Sequence, residues 1–317
     1  ELFQGIAPLK IQSPEYKFVH GTYGIPEFGT EFVRRMLDDT GPSRFADLVR
    51  ISGFSHGTDV WNNNAREFIK SGVATMNEVI STRDDIMNYL ILKGVPHKDA
   101  FKIMESVRKG QGVTLEQERL MKSNGIKDWY IESCKRIKYM FPRAHAVAYV
   151  MMSYRIAYYK VYHPAAFYAA FFTSKRDDFN SEFIHKEAGK VYERIQILSN
   201  KGKSITDKEK NEITVLEVMY EMFSRGFRFL GPRLGKSDPL KFYMEEDQVR
   251  VPLAAISGLG EAAARTLQEE YERKPYTTVE DIRNRGKANN TAISGLKELG
   301  VLDGIPESDQ ISLFDLG

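Results

Sequence analysis

Cations carried on separate predicted helices are the residues here whose types and spacing best suit chemistry. Arg83 precedes Asp84-Asp85, Arg108-Lys109 closes a strongly helical run, and Lys135, Arg136 and Lys138 lie one turn ahead of Phe141. A polyphosphate needs several positive charges arriving from different directions, and arginine forks serve it best. The competing reading is a solvated helix face, with Arg83 merely paired to a neighbouring carboxylate. A second constellation is Phe141-Pro142-Arg143-Ala144-His145-Ala146-Val147-Ala148-Tyr149. His145, Ala148, Tyr149 and Met152 fall on one helical face. Arg143 and His145 sit at its N-terminal end, where the helix dipole favours anions. The small alanines leave room for a flat group against Tyr149 or Phe141; the competing reading is a satisfied core histidine.

A third group is the turn Ile256-Ser257-Gly258-Leu259-Gly260, which opens a small-residue helix. Two glycines let the backbone turn tightly, and amides at the helix start can meet a phosphate oxygen without reading sequence. The pattern matches a helix-hairpin-helix DNA-binding hairpin, with Gly258 and Gly260 in the turn. Basic turns follow at Arg273-Lys274 and Arg283-Asn284-Arg285-Gly286-Lys287, so Arg285 and Lys287 join the candidate duplex contacts. A second, degenerate hairpin fits 279–302, punctuated by Gly295 and Gly300. The alternative is a packing turn with nothing bound. Last, Gln310, Ser312, Leu313 and Phe314 stand on an acidic tail. This spacing resembles the peptide that bacterial replication proteins insert into the sliding clamp, although a final turn folded onto its own domain would also use Leu313 and Phe314.

These groups need a helical frame. Apolar positions recur at helical spacing in 31–37, and Gly41-Pro42 stops the run. Helices are also predicted over 44–51, 62–71, 75–80, 84–94, 97–109, 115–124, 129–140 and 144–161, another from Pro164, and one over 215–225. Residues 53–58, rich in small and hydroxyl side chains, read as a loop, and 200–212 as an exposed connection. No convincing strand precedes about residue 224. Phe227 to Leu230, Phe242 to Met244 and Val249 to Val251 predict a small sheet, with a turn at Glu246-Asp247.

Composition bounds the classes. The chain has 317 residues, room for two or three modest domains, and 42% hydrophobic and 28% charged residues, ordinary for a globular protein. Net charge is only +2, but residues 101–163 hold twelve Lys/Arg against five Asp/Glu, a local excess of +7. Cys134 is the sole cysteine, which excludes an internal disulfide and a cysteine-based zinc site. The apolar stretch 144–173 is interrupted by His145, Arg155, Lys160 and His163, so it reads as a buried helix and no membrane partner is expected. The chain opens on Glu1 in loop-like sequence and reads as a piece of something longer. No Ser-His-Asp set, P-loop or His-x-x-x-His pair stands out.

Three blocks add up to a family: Ser55-His56-Gly57-Thr58-Asp59-Val60-Trp61, the run from Ala100-Phe101-Lys102 to Val107-Arg108-Lys109-Gly110, and 141–149. Together they resemble the fingers of a bacterial C-family replicative DNA polymerase, closest to the PolC type, the DNA polymerase III alpha subunit of low-GC Gram-positive bacteria. The resemblance covers essentially the whole chain. It implies a mainly α fold: multi-helix fingers over 1–212, a small α+β duplex-binding region with helix-hairpin-helix motifs over 213–304, and a flexible clamp-binding tail over 305–317. It implies that Arg83, Arg108, Lys109, Arg143 and His145 contact the incoming dNTP. Ser55, His56, Phe141 and Tyr149 would line the nascent base pair and the pocket for guanine-mimicking inhibitors. It also implies primer-template DNA, the sliding clamp and other replisome subunits as partners, in the bacterial cytoplasm at the nucleoid. The palm and its catalytic aspartates have no counterpart here. Asp38-Asp39, Asp84-Asp85 and Asp177-Asp178 sit in helical or turn contexts, so no catalytic residue or metal ligand is assigned, and Mg²⁺ would be held from outside the chain. The alternative is a non-catalytic helix-hairpin-helix module tethered to the clamp.

Overall fold

The computed structural model describes residues 1–308. The clamp-peptide residues Gln310, Ser312, Leu313 and Phe314 lie outside the described residues. Two compact units emerge, Glu1–Pro8 with Val19–Ala157, and Leu9–Phe18 with the chain from Tyr158 onward. Mainly α architecture, with one small sheet, is the class expected from sequence.

In the first unit the helices are α1 (Glu31–Thr40), α2 (Phe45–His56), α3 (Arg66–Lys70), α4 (Arg83–Leu92), α5 (His97–Arg108), α6 (Leu115–Ser123), α7 (Asp128–Arg136) and most of α8 (Arg143–Tyr162). Their starts follow from short polar side chains that satisfy orphan amides. Thr30 accepts from the Val33 amide, and Asp47 accepts from the Ser43 and Arg44 amides. The Thr114 and Gln117 side chains cap α6 reciprocally. Gly41, left-handed at φ 53°, ends α1.

Several expectations are corrected. Residues 53–56, read as a loop, are the last turn of α2. Gly53 is there for proximity rather than for turning: a Cβ would stand 2.6 Å from the Ser81 carbonyl oxygen. The helix expected over 62–71 is helical only from Arg66, because Asn62 is extended (ψ 141°) and Asn63 left-handed (φ 56°). Buried Asn64 pins that irregular turn, donating to the Asp59 and Ser133 carbonyls and accepting from the Ser133 hydroxyl. Residues 75–80 form turns, where the Glu78 carboxylate captures the Thr75 amide and hydroxyl. The stretch expected as a buried helix is α8 followed by α9 (Pro164–Ser174). Along α8, Ala146, Val150, Ser153, Ala157 and Lys160 make a buried stripe, while Tyr149, Met151, Met152, Tyr154, Tyr158, Tyr159 and Tyr162 are exposed. Among the described residues no helix is long and apolar enough to cross a membrane.

The second unit adds α10 (Ala188–Ser199), α11 (Asp207–Ser224), β1 (Phe229–Leu230), β2 (Tyr243–Glu245), β3 (Gln248–Arg250), α12 (Glu261–Arg273), α13 (Val279–Asn284) and α14 (Asn290–Glu298). The Thr206–Glu209 capping box starts α11 inside the stretch expected as a connection. The sheet order is β1-β3-β2, with β1 parallel and β2 antiparallel to β3, and Glu246 takes φ 56° in the predicted turn. Phe172, Phe179, Phe229 and Phe242 form one aromatic cluster beneath it.

Beside this core lies a buried polar group. Lys160 and Glu221, both fully buried, pair at 2.8 Å. The Tyr168 hydroxyl donates to the other Glu221 oxygen at 2.9 Å, and Arg225 donates to the Lys160 carbonyl at 2.9 Å and to the Tyr168 oxygen at 3.1 Å. Burial raises the Glu221 carboxyl above its ordinary value, with Lys160 pulling it back.

Candidate functional site

The segment 137–143 of the first unit is woven into its surroundings by backbone hydrogen bonds. The Thr58 amide donates to the Tyr139 carbonyl and the Lys138 amide to the Thr58 carbonyl, each at 3.0 Å. The Arg83 amide donates to the Phe141 carbonyl at 3.2 Å, and the Arg143 amide to the Asp84 carboxylate at 2.6 Å. Gly110, at φ 73°, turns the chain after α5 directly over Lys138, where a Cβ would collide with the carbonyl oxygen. Thus the start of α4, the end of α5, the end of α2 and the start of α8 meet around Phe141.

Three sequence-predicted cations converge here on a residue that sequence reasoning did not single out, Glu105. Arg108 donates from Nε and Nη2 to its two carboxylate oxygens at 2.8 and 2.9 Å. Arg83 Nη1 and Lys109 Nζ each lie 3.7 Å from it. The Arg108 hydrogen bonds hold the Glu105 carboxyl below its usual range, and Glu105 raises the Arg108 guanidinium in turn. The spacing of Glu105 to Arg108 and Lys109, three and four residues, was a readable signal.

Beside this cluster the rings form a ladder. Tyr139 meets Phe141 edge-on at 5.2 Å, Phe141 stacks on His145 at 4.9 Å, and His145 follows Tyr149 at 4.5 Å. His56 touches both Phe141 and His145, at 5.6 and 5.8 Å. Tyr149, 48% exposed, leaves the ladder open at one end. Ser55, His56, Phe141, His145 and Tyr149 are therefore brought together. The exposed Arg143 instead lines a cleft of about 310 Å³ with Arg50, Tyr89 and Trp129.

The surroundings of His56 favour its protonated form. Its Nδ1 lies 2.9 Å from the Ser52 carbonyl and its Nε2 lies 2.8 Å from the Glu27 carboxylate. The Ser55 hydroxyl also lies 3.0 Å from Nδ1, and the Glu27 carboxylate beside Nε2 favours a hydrogen there. The Glu27 hydrogen bond raises the His56 pKa above 6.5, against a lowering by burial. The folded value exceeds the unfolded one, so this pair's stabilisation is complete below pH 6.5 and is lost as pH rises through the folded value. In Glu27→Gln the ring-proton titration midpoint of His56 should fall to 6.5 or lower; an unmoved midpoint would rule the pair out.

The acidic pairs are occupied structurally. Asp39 binds Arg66 and Lys70, and Asp85 accepts from the Ser81 amide and hydroxyl and the Thr82 amide. Asp177 binds Arg176. Among the described residues no group of three His, Cys, Asp or Glu is suited to a metal. Asp39, Asp85 and Asp177 are thus engaged in ion pairs and capping rather than gathered around a Mg²⁺ site.

In the second unit, Gly258 at φ 79° turns the chain against α14: a Cβ there would stand 2.6 Å from the Thr291 side chain. Gly295 permits the same approach from the other side, where a Cβ would lie 3.0 Å from the Ser257 carbonyl oxygen. Gly260, where an added Cβ would meet nothing, is the N-cap of α12, and Glu261 and Ala262 at that helix start are exposed. Leu259, Ala264, Leu267, Ile282, Ile293 and Leu296 share one core below the turns. Arg285, a candidate duplex contact by sequence, is engaged within the domain. It donates to the Glu270 and Lys274 carbonyls, pairs with Asp281 at 2.8 Å and covers the Tyr276 ring. Lys287, exposed and left-handed at φ 54°, stands at the turn before α14.

The bacterial DNA polymerase III alpha subunit finger domain matches residues 15–128, and the helix-hairpin-helix motif matches residues 226–310. Among curated relatives, a "DNA polymerase III PolC-type" of Clostridium perfringens is 51% identical over 313 residues, 99% of this chain and 22% of the relative. Those of Thermotoga maritima and Bacillus subtilis are 51% and 46% identical, over 99% of this chain and 23% and 22% of their own lengths. The chain thus spans less than a quarter of the length of these relatives. With its finger and helix-hairpin-helix matches and this identity along nearly its whole length, the chain belongs to the PolC-type DNA polymerase III family.

Proposed function

We propose that the chain supplies the nucleotide-gripping fingers (1–212) and the duplex-holding region (213–304) of a replicative DNA-directed DNA polymerase. The observation that carries this reading is the convergence of Arg83, Arg108 and Lys109 on one carboxylate beside the Phe141–His145–Tyr149 ladder. The cations take the triphosphate, and the rings take the base, with Ser55 and His56 closing the pocket edge. His145 belongs with the rings, and Arg143 offers a further cation from the cleft it lines with Arg50. Catalysis by this part is positioning and charge stabilisation, holding the α-phosphate in line with the primer 3′ oxygen. Mg²⁺ belongs to carboxylates outside this chain.

Gly258, Gly260 and Lys287 meet duplex phosphates without reading sequence, so binding weakens as salt rises. Arg285 serves that surface by holding its turn. Residues 305–317, with Gln310, Ser312, Leu313 and Phe314, tether the enzyme to the sliding clamp within the replisome, in the bacterial cytoplasm. A clamp-tethered DNA-binding module without catalysis accounts for the second unit but leaves the Glu105 cluster and the ring ladder without a role.

Photocrosslinking with an azido-purine deoxynucleoside triphosphate tests the reading. The label is expected on the peptide 139–149; label confined to other peptides would sink it.

A further inference from the structure

The three cations that the proposed function assigns to the triphosphate are already in contact with an anion, and that anion is part of the chain. Glu105 accepts a two-pronged bond from Arg108 through both oxygens. Arg83 approaches one oxygen and Lys109 the other. A single carboxylate leaves this group two positive charges in excess, so it satisfies the fork geometry of Arg108 without neutralising the cluster. The site is also reachable: the side chains of Glu105 and Arg108 are about a quarter exposed, and those of Arg83 and Lys109 more so. Two oxygens of one phosphate offer an arginine fork a pair of acceptors, as the two oxygens of a carboxylate do.

We propose that Glu105 is an internal stand-in for phosphate, which gathers Arg83, Arg108 and Lys109 while no nucleotide is bound and gives them up when a polyphosphate arrives. The inference rests on the nucleotide-binding reading of this cluster. Glu105 is a positioning residue that acts through the cations, and it also competes with the ligand. Two effects of opposite sign follow from removing its charge. Losing the anchor loosens three partly exposed side chains, a small effect for surface pairs at helical spacing. Losing a negative charge within a few ångströms of incoming phosphates removes a direct repulsion, which is the larger effect. Neutralising Glu105 should therefore tighten polyphosphate binding, whereas a purely structural role would weaken it.

The test is calorimetric titration of inorganic tripolyphosphate into the full chain, comparing wild type, Glu105→Gln, Glu105→Ala and Arg108→Ala. Both Glu105 variants are expected to bind roughly threefold to tenfold more tightly than wild type, and Arg108→Ala more weakly. Wild-type Arg108 Nε should also shift in ¹⁵N spectra as tripolyphosphate is added, a readout that does not depend on any variant folding. Weaker binding by Arg108→Ala with unchanged or weaker binding by both Glu105 variants overturns the stand-in role and leaves the nucleotide reading intact. Unchanged binding by Arg108→Ala, with a stationary Nε signal, overturns the nucleotide reading and the stand-in with it.

Discussion

Glu221→Gln should lower the unfolding midpoint of the second unit by roughly 6–20 °C. The magnitude follows from the surroundings. Glu221 and Lys160 are fully buried, and Arg225 is nearly so. With a neutral side chain at 221, the buried Lys160 ammonium and the Arg225 guanidinium lose the carboxylate they share. Breaking a buried pair from one side costs about 3–5 kcal/mol. The apolar double replacement Lys160→Met with Glu221→Leu removes both charges and should recover a substantial part of the loss. Differential scanning calorimetry measures both. A Glu221→Gln midpoint within a degree or two of wild type would mean that the pair contributes nothing to holding α8, α9 and α11 together.

Arg108→Ala should weaken tripolyphosphate and dNTP binding about 10- to 100-fold. Arg108 is the least exposed of the three cations, and its fork is already oriented by two bonds to Glu105. A hydrogen bond to a charged group contributes about 1.5–3 kcal/mol, and one guanidinium can make two in parallel. Lys109→Ala should cost less, because a flexible, exposed ammonium is ordered only on binding. Dissociation constants from calorimetry, with circular dichroism confirming the fold, decide the matter. Equal affinity for Arg108→Ala and wild type would reduce the cluster to a surface ion-pair group.

Much of the helical frame was legible because its signals are local. Thr30, Asp47 and Thr114 announce helix starts through their own side chains, and the turn at Glu246-Asp247 announces the small sheet, whereas the Thr206 cap was passed over in a charged stretch. The misreadings share a cause. Gly53 looks like a loop residue, and only the Ser81 carbonyl packed against it explains a glycine within a helix. Asn62 to Ala65 look like a helix start until Ser133, about seventy positions away, is seen holding Asn64. Within the site, the cations were visible one by one, and their meeting point was encoded in the spacing of Glu105 to Arg108 and Lys109. Glu27 was invisible: nothing in the local sequence links it to His56, and tertiary proximity alone raises the pKa of that histidine.

The turn over Lys138 also bears on how this pocket can change under selection. Any side chain at position 110 would wedge α5 away from the strand-like segment that carries Phe141, and its left-handed backbone disfavours every residue that has a Cβ. Substitutions beside the rings should therefore be tolerated at solvent-facing Tyr149 and not at position 110.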